Sequence, residues 1–461
     1  MYKKIYISVF SLLLAGGVLG IVPVKAQTEV ELPSAGLTPD NPFYFLERFF
    51  EEIGNFFTFG DVAKAERYAK LAAERIAEVK AVIEKGKPEA AEIALKKYQE
   101  QLEKSLTKAE EAQVKGKSVA EVIEIVSQAT AKHLTVLEEV LEKVPEEAKS
   151  AILHAREVSK TGQVKALEAL AKEKPERAVN LNIQAIQNRL EKIKNEAREG
   201  DEQSVERTIA DFLTFQTLLK KMGKENKAVL ASLVSEAITS QIEDLDEIEV
   251  EVENLSSQIN EKVKTIKASV VNGHVDVLRG LAEINPEKAA EIFSRAAEKR
   301  LNKAKEEAEE GNAPKVEEAV EEFEKYAVFG QEISEIAKTI GEDTTKVEQL
   351  VARATTFHLK VLNDVYNKVP EQAKEVIQKA MTVSETGRQQ AVEALKKKGA
   401  LENIPEGIPL PREVREKVFK KREIQKPGIP KKQEIEKGER EEPGEPTGIE
   451  KPEISPGPPA Q

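Results

Sequence analysis

The sequence predicts an all-α protein made of serial helical bundles, and three observations carry that reading. Charged residues make up 33% of the chain and aromatics 5%, with no Trp and no Cys, the composition of long amphipathic helices rather than sheets. The line "KVPEEAKSAILHAREVSKTG" (residues 143–162) returns at residues 368–387 as "KVPEQAKEVIQKAMTVSETG", with twelve of twenty positions identical. Apolar residues recur every three or four positions through most of the chain, the period of one buried helix face.

The first elements are not part of that pattern. Met1-Tyr2-Lys3-Lys4 is a basic start, residues 5–24 are apolar, and Val24-Lys25-Ala26 fits a small-residue cleavage site, so residues 1–26 read as a signal peptide. The apolar run is long enough to span a bilayer if it is retained. The expected address is therefore export to the periplasm, cell surface or medium, with an N-terminal anchor if cleavage does not occur. Residues 27–60 read as a linker and an aromatic helix; the stretch 36–60 carries seven of the fifteen Phe.

From residue 61 the helices are punctuated clearly. Ala65, Tyr68, Ala72, Ile76, Val79 and Ile83 form one stripe, Gly86 suits a left-handed cap, and Pro88 opens the next helix. The stripe Ala91, Leu95, Tyr98, Leu102, Leu106 and Ala109 follows. Ser118 with Glu121 reads as a capping box for a third helix through Val122, Val126, Ala129, Val136 and Val140. Pro145 stops it and starts a fourth.

Fixed offsets divide the chain into related units. Gly86 pairs with Gly311, Tyr98 with Phe323, His133 with His358 and Pro145 with Pro370, each 225 apart, while Pro175, Gly200 and Phe212 match Pro286, Gly311 and Phe323 at 111. Units are expected at 61–173, 174–285 and 286–398. Aligning His274 with His133 and His358 makes the middle unit irregular, because Gly200 to His274 spans 74 positions against 47 in the others, room for about one more helix. A period near 111 exceeds that of short-repeat solenoids, so the units read as three bundles in series. The recurrent Pro-Glu-x-Ala at Pro145, Pro175, Pro286 and Pro370 combines a helix-starting Pro, an acid at the positive helix end and a small packing residue. It carries architecture rather than chemistry. Residues 399–461 hold eleven of the 21 Pro and read as a disordered tail with a short basic amphipathic stretch near residues 414–419.

The stretch "LTPDNPFYFLERFFEEIGNFFTFGDVAKAERYAKLAAERIAEV" resembles the exported bacterial family described as domain of unknown function 5667 (DUF5667). The resemblance rests on the Pro-aromatic-Tyr-x-Leu-x-Arg run at Pro42 to Arg48, on Thr58-Phe59, and on Glu74-Arg75-Ile76-Ala77-Glu78, and it covers roughly residues 36–115. It implies an exported helical protein with no known reaction, and it transfers no functional residue.

Candidate sites are few. Phe43, Leu46, Phe50, Ile53 and Phe57 share a helical face, with Phe45, Phe49 and Phe56 beyond it. Lone aromatics at helical spacing are expected to fill the first bundle's core; the alternative is an interaction surface of Phe43, Phe45, Phe49 and Phe56. His133, His274 and His358 each begin His-(Leu/Val)-x-Val-Leu with Pro twelve positions on. They are the candidate metal ligands, but one His per unit does not converge on an ion. Structural histidines bonded within their own units are expected. Residues 242–253 carry seven acids and no base, expected as a solvated face, with loose divalent-cation binding as the alternative. No catalytic constellation, cofactor motif or phosphate cradle is present. Removing residues 1–26, with three Lys and no acid, takes the formal charge from −12 to −15, which repels nucleic acid and anionic lipid. The sequence thus reads as a non-catalytic exported scaffold or interaction module toward protein or cell-wall components. The alternative reading is an envelope chaperone or a cation- or ligand-sequestering protein.

Overall fold

The computed structural model describes residues 32–224 and 228–425. The expected signal peptide and the tail from residue 426 lie outside them. Among the described residues there are fourteen α-helices and no strand: α1 (Tyr44–Phe56), α2 (Asp61–Glu84), α3 (Pro88–Val114), α4 (Ala120–Leu141), α5 (Glu146–Glu173), α6 (Pro175–Glu199), α7 (Glu202–Gly223), α8 (Ala228–Glu251), α9 (Ser257–Ala282), α10 (Pro286–Glu310), α11 (Ala313–Thr339), α12 (Thr345–Tyr366), α13 (Lys374–Lys398) and α14 (Arg412–Gln425). None of the described helices is long and apolar enough to cross a membrane.

The helices from α2 to α13 form six consecutive hairpins. The most extensive packing is within α2–α3, α4–α5, α6–α7, α8–α9, α10–α11 and α12–α13, and neighbouring hairpins stack through α2 on α4, α3 on α5, α6 on α8, α10 on α12 and α11 on α13. Each unit of the sequence repeat therefore holds two hairpins. Ion pairs record the shorter period. Lys80 reaches Glu139 across 59 positions, Arg177 reaches Glu124 across 53, and Lys299 reaches Glu243 across 56.

Local chemistry sets the turns. Gly86, Gly200 and Gly311 have φ of 69°, 77° and 77°, and each lets the next residue donate back to a carbonyl of the closing helix turn: Lys87 to Val82, Asp201 to Glu196, Asn312 to Glu307. Pro88, Pro175 and Pro286 stand at the first helical positions. The capping box expected at Ser118 and Glu121 is not formed. Glu173, at the end of α5, instead accepts from the Ser118 hydroxyl at 2.8 Å and from the Val119 amide at 3.3 Å, so the other arm of the same hairpin caps α4. An apolar core of Ala, Val, Leu and Ile with occasional Phe runs continuously from Ala65 to Val418.

The middle unit is not irregular. It holds four helices, α6–α9, as the flanking units do, and α9 starts at Ser257 where α5 starts at Glu146, the same offset of 111. Gly162, Gly273 and Gly387 all lie within the fourth helix of their unit, so His274 aligns with Gln163 and Arg388 rather than with His133 and His358. The histidine line recurs at a different turn because it encodes only a helix end followed by a Pro start. The chain also stays ordered beyond Lys398, correcting the expected disorder for residues 399–425. Ile404, Ile408 and Leu410 pack on the core, and α14 buries Val414 and Val418 against α13.

The acidic run is a solvated face only in part: Glu247 and Glu253 are exposed, while Asp246 and Glu249 are covered by neighbouring helices. Each of its seven acids meets a base from α6, α9, α10 or α11: Glu243 with Lys299, Asp244 and Glu247 with Lys194, Asp246 with Arg300, Glu249 with Lys267, Glu251 with Arg198, and Glu253 with Lys315. Two of these pairs belong to a repeated buried cluster. Glu138, Arg156, Arg189 and Asp211 recur at the offset of 111 as Glu249, Lys267, Arg300 and Glu322. In the first set Arg156 lies 2.6 Å from Glu138 and 2.9 Å from Asp211; in the second Lys267 lies 2.6 Å from Glu249, and Arg300 lies 3.1 Å from Glu322. Each set sits where one four-helix unit meets the next. Burial alone would pull the Lys267 ammonium down, but Glu322, Asp246, Glu249 and Glu318 around it hold it above the usual lysine range.

Removing the base from a buried acid leaves an uncompensated charge. Lys267→Met, which takes the base from Glu249, is expected to cost about 3–5 kcal/mol in urea unfolding. Arg156→Met is expected to cost less, because Lys192 still meets Glu138 and Lys160 still meets Asp211. A loss below about 1 kcal/mol for both would mean that the clusters do not hold the units together.

Candidate functional site on the N-terminal helix

Helix α1 is seated inside out. Its polar side chains face α2 and its aromatic side chains face away. Tyr44 donates to Glu78 at 2.9 Å, Arg75 reaches Glu51 at 2.7 Å and Glu78 at 3.1 Å, and Arg48 bridges Glu51 and Glu78 while its guanidinium lies 4.7 Å from the Tyr44 ring centre. Further along, Arg67 donates to Asn55 at 2.6 Å and to the Glu51 carbonyl at 3.2 Å. The start of the segment is pinned by Leu37, whose amide donates to Glu47 at 2.7 Å, and by Lys85 and Lys87 on Asp40. Arg75 and Glu78 are fully covered, although each is a charged residue on α2. Burial pushes the Glu78 carboxyl up to about 8 and Glu51 up to about 7, and Arg48 works against that rise in both.

With that face committed, no described residue covers the aromatics. Phe43 is 60% exposed, Phe45 64%, Phe49 56% and Phe56 76%, and α1 buries no residue at all. Phe50, Phe57 and Phe59 are exposed too. The core role expected for these residues is therefore corrected: the buried Arg75–Glu78 pair takes the side of α1 that a core would need. Sequence reasoning finds the aromatic face and misses its seat. The signal is present, since Tyr44, Arg48, Arg75 and Glu78 all fall within the two quoted motifs.

The three histidines do not meet, and no group of three or more metal-ligating side chains exists among the described residues. Each ring is wholly buried. His133 Nδ1 lies 3.3 Å from the Tyr98 hydroxyl, which also bonds Ser159. His274 bonds Ser235 at 2.6 Å in its own unit and Tyr326 at 2.9 Å in the next. His358 stands edge-on to Phe323 at 5.1 Å, and both its ring nitrogens lack a partner of good geometry. The duplication explains that orphan. Phe323 replaces Tyr98 and Ser384 replaces Ser159 at the 225 offset, so the missing hydroxyl leaves both His358 Nδ1 and Ser384 Oγ unpaired.

A cleft of about 1360 Å³ opens elsewhere, between α11, α12 and α13, lined by Ile284, Val328, Gln331, Ile340, Glu348 and Lys398. Lys398 holds the buried Glu348 at 2.9 Å.

The seat of α1 and the hairpin it rests on coincide with a recognised sequence family. Residues 36–147 match the family model described as Domain of unknown function (DUF5667). The match takes in α1, its seat on α2, and the helices through α4. The repeat architecture has a counterpart among solved structures, one described as "Circular tandem repeat protein with novel repeat topology and enhanced subunit contact surfaces". It aligns with a TM-score of 0.51 at 15% identity, covering 82% of this chain and 80% of that one, which shows a likeness of fold alone. A second, described as "Computational Design of Self-Assembling Cyclic Protein Homooligomers", aligns with a TM-score of 0.20 at 14% identity over 73% of this chain and 98% of its own. No curated protein matches the chain.

Two measurements test the histidine sites. Phe323→Tyr supplies a hydroxyl to two buried orphans and should raise stability by about 1 kcal/mol; a fall would mean that the third unit has closed over that space. Burial lowers the His133, His274 and His358 rings to about 3. The unfolded chain titrates histidine near 6.5, so below that pH it binds protons that the folded state refuses, and stability drops on acidification. Each ring should contribute a slope of about 1.4 kcal/mol per pH unit between pH 6 and 5. His274→Gln should flatten the measured slope by that amount, and an unchanged slope would contradict a neutral buried ring.

Proposed function

We propose that this chain is a non-catalytic, exported interaction module of the cell envelope, with the stacked hairpins as a rigid platform and α1 as the contact element. The observation that carries this reading is the outward aromatic face of α1, held open by a buried polar seat. A contiguous apolar patch of this kind is unusual on a monomeric surface and marks a binding region. The basic n-region and the apolar run ending at Val24 support the exported address. The buried acids Glu138, Asp211, Glu249 and Glu322 are each held by a base, which favours a structural rather than a catalytic role for the clusters.

A second reading is a holding or sequestering role. The α11–α13 cleft favours it, since exposed Ile284, Val328 and Ile340 line a concave site with Gln331 and Lys398 at hand.

Replacing three of the aromatics together, Phe45→Ser, Phe49→Ser and Phe56→Ser, separates contact surface from core. Exposed positions should each change stability by no more than about 0.5 kcal/mol, whereas a core Phe truncation costs about 3–5 kcal/mol. Retention of the chain in the envelope fraction should fall sharply. A large stability loss, or unchanged retention, would remove α1 as the contact element.

A further inference from the structure

We propose that the partner of α1 is the interface of a lipid bilayer with neutral or zwitterionic headgroups, an inference that rests on α1 being the contact element. Three features of the segment select lipid. Along Pro42–Gly60 the exposed side chains are apolar except for one, Glu52. Seven Phe side chains here are each more than half exposed, so they project from the surface rather than line a recess, and the cleft described above includes no α1 residue. A fluid layer adapts to projecting Phe rings; a folded surface would need a matching groove. The place of α1 in the chain agrees, because only the short segment from Lys25 to Phe43 separates the apolar run ending at Val24 from Tyr44. Where that run is retained in a membrane rather than cleaved, only nineteen residues separate it from α1.

Charge chooses the lipid. The chain carries a formal −12, and the exposed face holds no Lys or Arg to offset it, so anionic headgroups repel the module while zwitterionic ones do not. The ion pairs beneath the helix fix its roll, which keeps Phe43, Phe45, Phe49 and Phe56 pointing outward without any rearrangement on contact. Attachment is then apolar insertion, insensitive to salt.

The chain contains no Trp, so Phe49→Trp creates a single reporter in the full-length protein. Reconstituted with phosphatidylcholine vesicles, its emission should shift to the blue and should be at least halved when the acyl chains are brominated, equally at low and high salt. Leu213→Trp, on the distant helix α7, should show neither effect. Emission that is blue-shifted without lipid and grows with protein concentration would assign the face to a second copy of the chain. That outcome overturns the lipid partner and leaves α1 as the contact element. A red, unquenched Phe49→Trp with phosphatidylcholine vesicles, with envelope extract and at high protein concentration would overturn both.

Discussion

A helix hairpin has apolar surface on both sides of its plane, so no hairpin in this chain can bury itself alone. Each must be covered by the next, and this one constraint generates most of the structure. It explains why ion pairs link positions 53 to 59 apart, since those positions face each other on successive hairpins. Within a hairpin the antiparallel arms bring the end of one helix to the start of the other, and so Glu173 of α5 caps α4. The same constraint makes the two ends of the stack special, because each leaves one face without a following hairpin.

The ends are closed by opposite devices. At the C-terminal end α14 turns Val414 and Val418 inward and leaves Arg412, Arg415 and Lys417 outside, the ordinary arrangement of a solubilising cap. At the N-terminal end α2 offers a charged face, Arg67, Arg75 and Glu78, and α1 answers with Tyr44, Arg48, Glu51 and Asn55. A buried ionic seat contributes little stability compared with packed apolar groups. What it does secure is orientation, because the pairing leaves α1 only one way to sit. Had α2 presented leucines there, the Phe rings would have turned inward and the first hairpin would carry a simple core cap.

The helical class and the hairpin turns are legible in the sequence because they are local: Gly after a stripe and Pro before the next. Other features are not. The half-period escapes because successive hairpins share positions rather than residues; Lys80 opposite Glu139 leaves no identity to align. The middle unit looks irregular because His274 and His133 carry the same helix-ending pattern at turns of different kind. The acidic run looks solvated throughout because its bases, Lys194, Arg198, Lys267, Lys299, Arg300 and Lys315, are scattered over four other helices. The seat of α1 combines both problems. Its amphipathic pattern is plain, but the side that faces the protein depends on what α2 presents, and in the sequence Arg75 and Glu78 look like any other charges on a helix.

That dependence gives the quoted family motifs a physical content. The run from Pro42 to Arg48 supplies the Tyr and Arg that enter the seat, and Glu74 to Glu78 supplies the Arg and Glu that form it. The Phe residues interleaved between them at positions 43, 45 and 49 are carried along on the outside. Two motifs separated in the chain are therefore one device, in which the polar positions set the angle at which the aromatic positions are shown. A substitution in either half should be felt by the other. Losing Arg75 leaves Arg48 as the one base for Glu78 and Glu51, both already disfavoured as charges by burial, and loosens the hold on the helix's roll. The stack of hairpins behind it would remain intact, because α2 is covered by α3 and α4 on its other sides. What the ionic seat governs is the presentation of one apolar face, and the rest of the fold is the rigid mount that makes such presentation persist.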